Sequence, residues 1–317
     1  MKMYLRVDAV IQRYMALFIT GTLLVGLVIG EGLGTLSGWI PYIFCGITFS
    51  AGLSMRSREL AVLRERPWVI AVHFGFVHLV TPFIARQVGS FFFADEGVVM
   101  GLVILAMMPV AASSSVWVPI CRGNMTLAVA LILTDTLVAP FVIPYLLTAY
   151  VGGHVALDPP AILGGLFWMI VFPTLSALFV NRLSAGAFRE RFGPVLSLYS
   201  KLAILAIILI NAGIVAHHFR TPSFFLAQLL LTALGLSSLW FLLSYLIGRL
   251  LFRKKADIIT FVLCGSMRNI AAGTVIAMTY FSSLSVLAVL MTMFFQQALG
   301  YFAGNAAGRR LDALGIE

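Results

Sequence analysis

Residues 224–248 read FFLAQLLLTALGLSSLWFLLSYLIG, an apolar stretch without a charged side chain. A helix needs about 20 such residues to cross the hydrocarbon core of a bilayer. Only helices and closed barrels span lipid, because unpaired backbone N–H and C=O groups are too costly there. A barrel strand would alternate apolar and polar residues with a period of two. This stretch is continuously apolar, so it predicts a transmembrane helix. Nine further runs follow the same rule. Together the ten cover 14–30, 37–54, 68–93, 97–120, 125–150, 160–181, 195–216, 224–248, 257–280 and 284–307. The chain thus reads as an all-α membrane protein with ten transmembrane helices.

Composition agrees. Of 317 residues, 61% are hydrophobic and 10% charged, and the mean hydropathy is +1.03. A soluble domain carries about 25% charged residues. A globule of this size has no interior large enough for so much apolar surface. A cytosolic enzyme, a nucleic-acid binder and a disordered chain are excluded. Cys45, Cys121 and Cys264 are scattered, with neither a disulfide framework nor zinc spacing. The opening Met1–Tyr14 lacks the short apolar core and cleavage site of a signal peptide. The connections are too short to hold a separate soluble domain, so 1–317 reads as one domain.

The net charge of +9 is distributed with a pattern. Lys2, Arg6 and Arg13 precede the first run; Arg56, Arg58, Arg64 and Arg66 follow the second; Arg122 follows the fourth. Arg182, Arg189 and Arg191 follow the sixth, Arg249, Arg253, Lys254 and Lys255 the eighth, and Arg309 and Arg310 the tenth. The other connections carry Glu31, Asp95, Glu96 and Asp158, with Arg220 their one clear basic residue. Cytoplasmic loops collect Lys and Arg, so both termini are expected in the cytoplasm. Ten spans divide into five and five, and an odd-numbered half can repeat only with inverted topology. Thr126–Ala130 and Val286–Leu290 are a faint echo of such a repeat.

Function in such a chain belongs at interrupted helices and buried polar groups. Met107-Met108-Pro109-Val110-Ala111-Ala112-Ser113-Ser114-Ser115 places a proline and three serines at mid-depth in the fourth run. Proline removes a backbone donor and kinks or breaks a helix. Cys264-Gly265-Ser266-Met267-Arg268-Asn269 lies at the corresponding place in the ninth. Arg268 is about 12 residues, or ~18 Å, from the cytoplasmic edge. Asp135 is about ten residues, or ~15 Å, into the fifth run from the same side. Burying a lone charge there is expensive, so an Asp135–Arg268 pair is expected. Weaker candidates are His78 and Thr81 before Pro82, Gln296, Gln297 and Asn211. Gly300, Gly304 and Gly308 repeat every four residues and predict close helix packing. Gly30-Glu31-Gly32-Leu33-Gly34 lacks the spacing of a nucleotide loop.

These motifs resemble the bile acid:sodium symporter family over almost the whole chain. Phe49–Met55 is similar to the Gly-rich end of that family's second helix. Pro109–Ser115 with Cys121–Asn124 resembles its CPGGTASN…ARGN stretch, and Cys264–Asn269 its E-x-G-M-Q-N motif. The resemblance implies a 5+5 inverted repeat with helices 4 and 9 broken at mid-membrane. It also implies a core of helices 3–5 and 8–10, a panel of helices 1–2 and 6–7, and substrate between them. It places the family's sodium-binding Glu at Cys264, its Gln at Arg268, the Asn ending CPGGTASN at Ser115, and two fifth-helix ligands at Ala128 and Ile132. A hard cation wants oxygen ligands, and a thiol with two aliphatic side chains replaces them poorly. Asp135, seven residues after Ala128, shares its helical face.

The expectation is an inner (plasma) membrane secondary transporter of a small organic anion working by alternating access. It is not coupled to sodium through the usual site. The site is drawn from Ser113, Ser114, Ser115, Asp135, Cys264, Arg268, Asn269, His78 and Gln296. Coupling to protons through Asp135 or His78, or no coupling, is open. The alternative is a sodium symporter with a site rebuilt from Ser113, Ser114, Ser115, Asn269 and backbone carbonyls. A membrane sensor or enzyme is the distant third reading, lacking paired catalytic carboxylates or a metal-ligand cluster. No cofactor and no nucleic-acid partner are expected.

Overall fold

The structure, a computed structural model, describes residues 14–54, 65–151, 158–220 and 223–316. Residues 1–13, Met55, Arg56, Arg58 and Arg64, on which parts of the sequence reading rest, lie outside them. The described residues are nearly all helical and form no strand. The helices are α1 Met15–Ile29, α2 Ile40–Ser54, α3 Pro67–Phe92, α4 Glu96–Met107, α5 Ser114–Ile120 and α6 Met125–Val151. They continue as α7 Pro159–Leu183, α8 Ala187–Val215, α9 Phe224–Leu251, α10 Lys255–Ser266, α11 Ile270–Tyr280 and α12 Ser283–Ala313.

Seven helices are long and apolar enough to cross a membrane: α2 with the 3-10 turn Glu31–Trp39 before it, α3, α6, α7, α8, α9 and α12. The three other expected runs hold shorter pieces: α1 in 14–30, α4 and α5 in 97–120, α10 and α11 in 257–280. Many exposed side chains are large and apolar; Val28, Phe91, Phe224 and Leu250 are each more than four-fifths exposed. A soluble surface does not carry that many, whereas a lipid-facing one does.

The chain divides into two compact units. The first comprises Met1–Ser57 and Asp158–Ser223. In it α8 packs on α1 and α2, and α7 packs on α2. Lipid supplies no hydrophobic drive between helices, so close approach rests on small residues. Gly26 of α1 shows this: a Cβ there would lie 2.7 Å from the Leu209 carbonyl oxygen. Pro173 explains a local widening of α7 at Phe167–Val171 into a π turn. Its missing N–H frees the Met169 carbonyl, which accepts from Thr48 Oγ1 of α2 at 2.8 Å.

The second unit comprises Arg58–Leu157 and Phe224–Glu317. Its centre is α4, buried from Val98 to Met107 and packed against α3, α11 and α12. Gly101 lets α12 approach: a Cβ there would stand 2.4 Å from the Ser285 carbonyl oxygen and 2.8 Å from Ala288 Cβ. Gly101→Val is therefore expected to lower stability by about 1–3 kcal/mol or more, the range for overpacking. Thermal unfolding in detergent checks this against Gly21→Ala, where nothing lies within 4 Å and no loss is expected. Gly300, Gly304 and Gly308 are buried on α12, and a Cβ on Gly304 would meet Cys121 Sγ at 2.6 Å. The Arg122-Gly123-Asn124 corner after α5 docks on α10. Arg122 takes a left-handed φ of 63°, and Asn124 N–H donates to the Ala256 carbonyl at 3.1 Å. Asn124 Nδ2 and Arg66 both reach the Asp257 carboxylate at 2.8 Å.

Candidate functional site

Two helices of the second unit end inside it. After α4 the chain runs non-helically through Met108–Ala111, and after α10 through Met267–Asn269. Pro109 cannot donate to a preceding turn, and Met108 and Met267 are extended. Each end strands backbone groups that must find partners away from water. The two segments supply one another. Ala111 N–H donates to the Met267 carbonyl at 3.0 Å, and Asn269 N–H to the Pro109 carbonyl at 2.8 Å. Val110 and Arg268 thereby form one antiparallel bridge.

Side chains satisfy the remaining groups. Gln296 of α12 accepts from Arg268 N–H at 2.8 Å and donates to the Arg268 carbonyl at 2.9 Å. The last carbonyls of α4 carry its negative dipole end, which favours cationic donors. Arg268 Nε donates to the Ala106 carbonyl at 3.0 Å, and Nη2 to Thr81 Oγ1 at 3.2 Å. Thr81 Oγ1 in turn lies 3.0 Å from the same carbonyl. His78 Nδ1 meets the Met107 carbonyl at 2.9 Å. The other ring nitrogen, Nε2, lies 2.6 Å from Asp135 Oδ1, and Asp135 Oδ2 accepts from Val110 N–H at 2.7 Å. His78 sits in a π turn of α3, Phe76–Val80, where Pro82 has removed a donor. Such turns recur at functional positions.

His78, Asp135, Arg268 and Gln296 are thus gathered around the two helix ends, all buried. The expected Asp135–Arg268 ion pair is not formed. Asp135 spends its oxygens on His78 and Val110, and no carboxylate among the described residues lies within ion-pair distance of Arg268. Depth alone suggested that pairing, but helix orientation turns the Asp135 side chain to α3. The guanidinium stacks 5.6 Å from the Trp240 ring, within cation–π range. Its Nη1 is buried and has no hydrogen-bond partner, as is true of Trp240 Nε1 and His73 Nε2.

The side chains of the other candidates make no hydrogen bond to these four side chains. Cys264 is buried on α10 with a free thiol. Asn269 caps α11 by accepting from Ala272 N–H at 3.2 Å. Ser115 Oγ donates to the Ala112 carbonyl at 2.7 Å, and Ser114 Oγ is buried without a partner. Ser113 Oγ meets Gln297 Nε2 at 3.4 Å, and Gln297 Oε1 accepts from Trp117 Nε1 at 2.7 Å. No hydrogen bond joins Ser113, Ser114 or Ser115 to Asn269. Asn211 lies in the first unit, buried, with its Oδ1 unpartnered. Sequence reasoning missed the Val110 N–H, the Ala106 and Met107 carbonyls and Trp240. The first three are backbone groups, exposed only because the helices end here.

Seven helices long and apolar enough to span, with a charged, hydrogen-bonded crossing of two helix ends among them, mark a multi-pass membrane protein. Residues 41–222 match the model of the Sodium Bile acid symporter family, and the chain belongs to that family. It is a family of transporters, not of enzymes. An uncharacterized protein of Bacillus subtilis (strain 168), YbaS, is 28% identical over 296 residues, 93% of this chain and 97% of its own length. The same organism's uncharacterized sodium-dependent transporter YocS is 22% identical, covering 81% of this chain and 80% of itself. A probable sodium/metabolite cotransporter of rice (Oryza sativa subsp. japonica), chloroplastic BASS1, is 21% identical over 75% of this chain and 58% of its own length.

Proposed function

We propose that this protein is a plasma-membrane secondary transporter that carries a small organic anion by alternating access, without sodium at the family's usual site. The observation that carries the reading is Arg268. It is a fully buried cation whose Nη1 still has hydrogens to donate and which no carboxylate among the described residues pairs directly. A buried donor-only group of positive charge asks for an anionic acceptor. Cys264, Ala128 and Ile132, where the resemblance puts sodium ligands, are buried and offer no side-chain oxygen.

On this reading the chain crosses the membrane ten times as a 5+5 inverted repeat. α4 with α5, and α10 with α11, are the halves of its broken fourth and ninth spans. The second unit is the core that carries the site, and the first is the panel. Both termini face the cytoplasm, so reporters fused after residue 316 and at Asp158 should report opposite sides.

The sodium-coupled alternative is favoured by the relatives' printed names, sodium-dependent transporter and sodium/metabolite cotransporter. Proteoliposome exchange of radiolabelled succinate, with taurocholate as the large limit, separates the two. Exchange should differ less than about twofold between sodium and potassium chloride. The melting midpoint should likewise match in the two salts, since a bound ion stabilises by mass action. A saturable, sodium-specific rise in both would establish the alternative instead.

A further inference from the structure

The His78–Asp135 contact has a proton count that its surroundings fix. Both ring nitrogens of His78 face polar atoms, and a ring turned by 180° would present carbons to both. The Met107 carbonyl only accepts, so Nδ1 carries a hydrogen. Asp135 Oδ2 is taken by the Val110 N–H. Between Nε2 and Oδ1, 2.6 Å apart, one proton must lie, written either as imidazolium with carboxylate or as imidazole with carboxylic acid. Both forms are neutral overall. Without that proton two lone pairs would oppose each other and the pair would carry one negative charge.

The titratable and charged groups that face this pair are His73 on α3, Cys264 on α10 and Arg268 in the gap after α10. α4 contributes a carbonyl to the pair, while α9 and α12 place Trp240 and Gln296 against Arg268, and none of the three titrates near neutrality. Counting His73 as imidazole and Cys264 as thiol, the protonated cluster has the net charge of Arg268 alone, +1. Deprotonated, its net charge is zero. An anion is attracted to the first state and not to the second. Asp135 also holds Val110, the bridge partner of Arg268, so a change of charge on the carboxylate reaches the backbone that carries the guanidinium.

We infer that the His78–Asp135 pair is a proton-coupling site, loaded with one proton for each anion held at Arg268. The inference rests on the organic-anion reading above. The proton is taken from water on the loading side and shared between Nε2 and Oδ1. It returns to water on the releasing side, with no other bond made or broken. For a monoanion the cycle is an electroneutral symport.

The test has two arms. In the first, purified protein in detergent is titrated while infrared difference spectra follow the imidazole and carboxyl bands. Asp135→Asn is the comparison, because asparagine can accept from Val110 and donate to a neutral His78. The wild type should show one titrating group that Asp135→Asn lacks; identical titrations overturn the proposal whatever the substrate. In the second, proteoliposomes take up radiolabelled succinate or taurocholate under an inward acid gradient. Uptake should rise several-fold in the wild type. Whatever exchange survives in Asp135→Asn should not respond to the gradient, and an equal response in both overturns coupling. Absence of exchange with every anion counts against the transport reading, while the titration still judges the proton site.

Discussion

Asp135→Ala should cost the protein about 3–5 kcal/mol of stability, the usual loss when one member of a buried, hydrogen-bonded pair is removed. Two groups lose their partners at once. Val110 N–H has no other acceptor, and it belongs to the segment that bridges Arg268. His78 Nε2 is left facing an apolar methyl group inside a protein, where an orphaned polar atom costs about 1–3 kcal/mol. Asp135→Asn should lose less than about 1 kcal/mol, since both bonds can be kept and the net charge of the proton-sharing pair is unchanged. Unfolding in detergent measures both variants. A double-mutant cycle then identifies the partner: the coupling of Asp135 to His78 should be about 1–3 kcal/mol, and that of Asp135 to Arg268 smaller. Equal loss in the Ala and Asn variants would mean that the carboxylate charge, not its two hydrogen bonds, is what the fold requires.

Which parts of this site were readable in the sequence follows from what a sequence records. Apolar runs locate helices because lipid imposes one rule on every spanning residue, and the runs 125–150, 160–181 and 224–248 match α6, α7 and α9 closely. Asp135 and Arg268 were visible because a charge in an apolar run is rare. Which candidates they pair with was not, because the rotation of one helix against another decides which side chains meet. One signal was present but weak. His78 lies 78 − 67 = 11 residues after the start of α3, and Asp135 lies 135 − 125 = 10 residues after the start of α6. The two sit at matching positions along their helices. Arg86 is also a charge inside an apolar run, the third, and its partner Glu96 at the start of α4 was likewise set by helix packing. The cause of the helix end at Pro109 was legible, but not what the freed carbonyls would bind. Gln296 is a candidate by its mid-run position, but its two bonds to the Arg268 backbone were not legible.

Arg268→Met should leave the fold intact and remove transport. A buried charge replaced by an apolar side chain of similar length is often neutral or stabilising, because its desolvation penalty disappears. Little is left unpaired. The Ala106 carbonyl still has Thr81 Oγ1 at 3.0 Å, a donor shared with the Val77 carbonyl, and the backbone of residue 268 keeps both bonds to Gln296. No carboxylate is stranded, since Asp135 shares its proton with His78. Methionine is flexible enough to fill the space against Trp240. The melting midpoint in detergent should therefore equal or exceed that of the wild type. Anion binding should fall about 10- to 150-fold, the equivalent of one charge-assisted hydrogen bond of about 1.5–3 kcal/mol. Arg268→Lys keeps the charge but loses the planar fork that caps α4 and still presents Nη1, so its binding should lie between the two. Equilibrium binding of succinate and taurocholate, measured beside the melting curves, separates the roles. A methionine variant that unfolds would show that Arg268 acts through its bonds to Ala106 and Thr81. A methionine variant that folds and still binds would mean that the buried guanidinium never meets the anion.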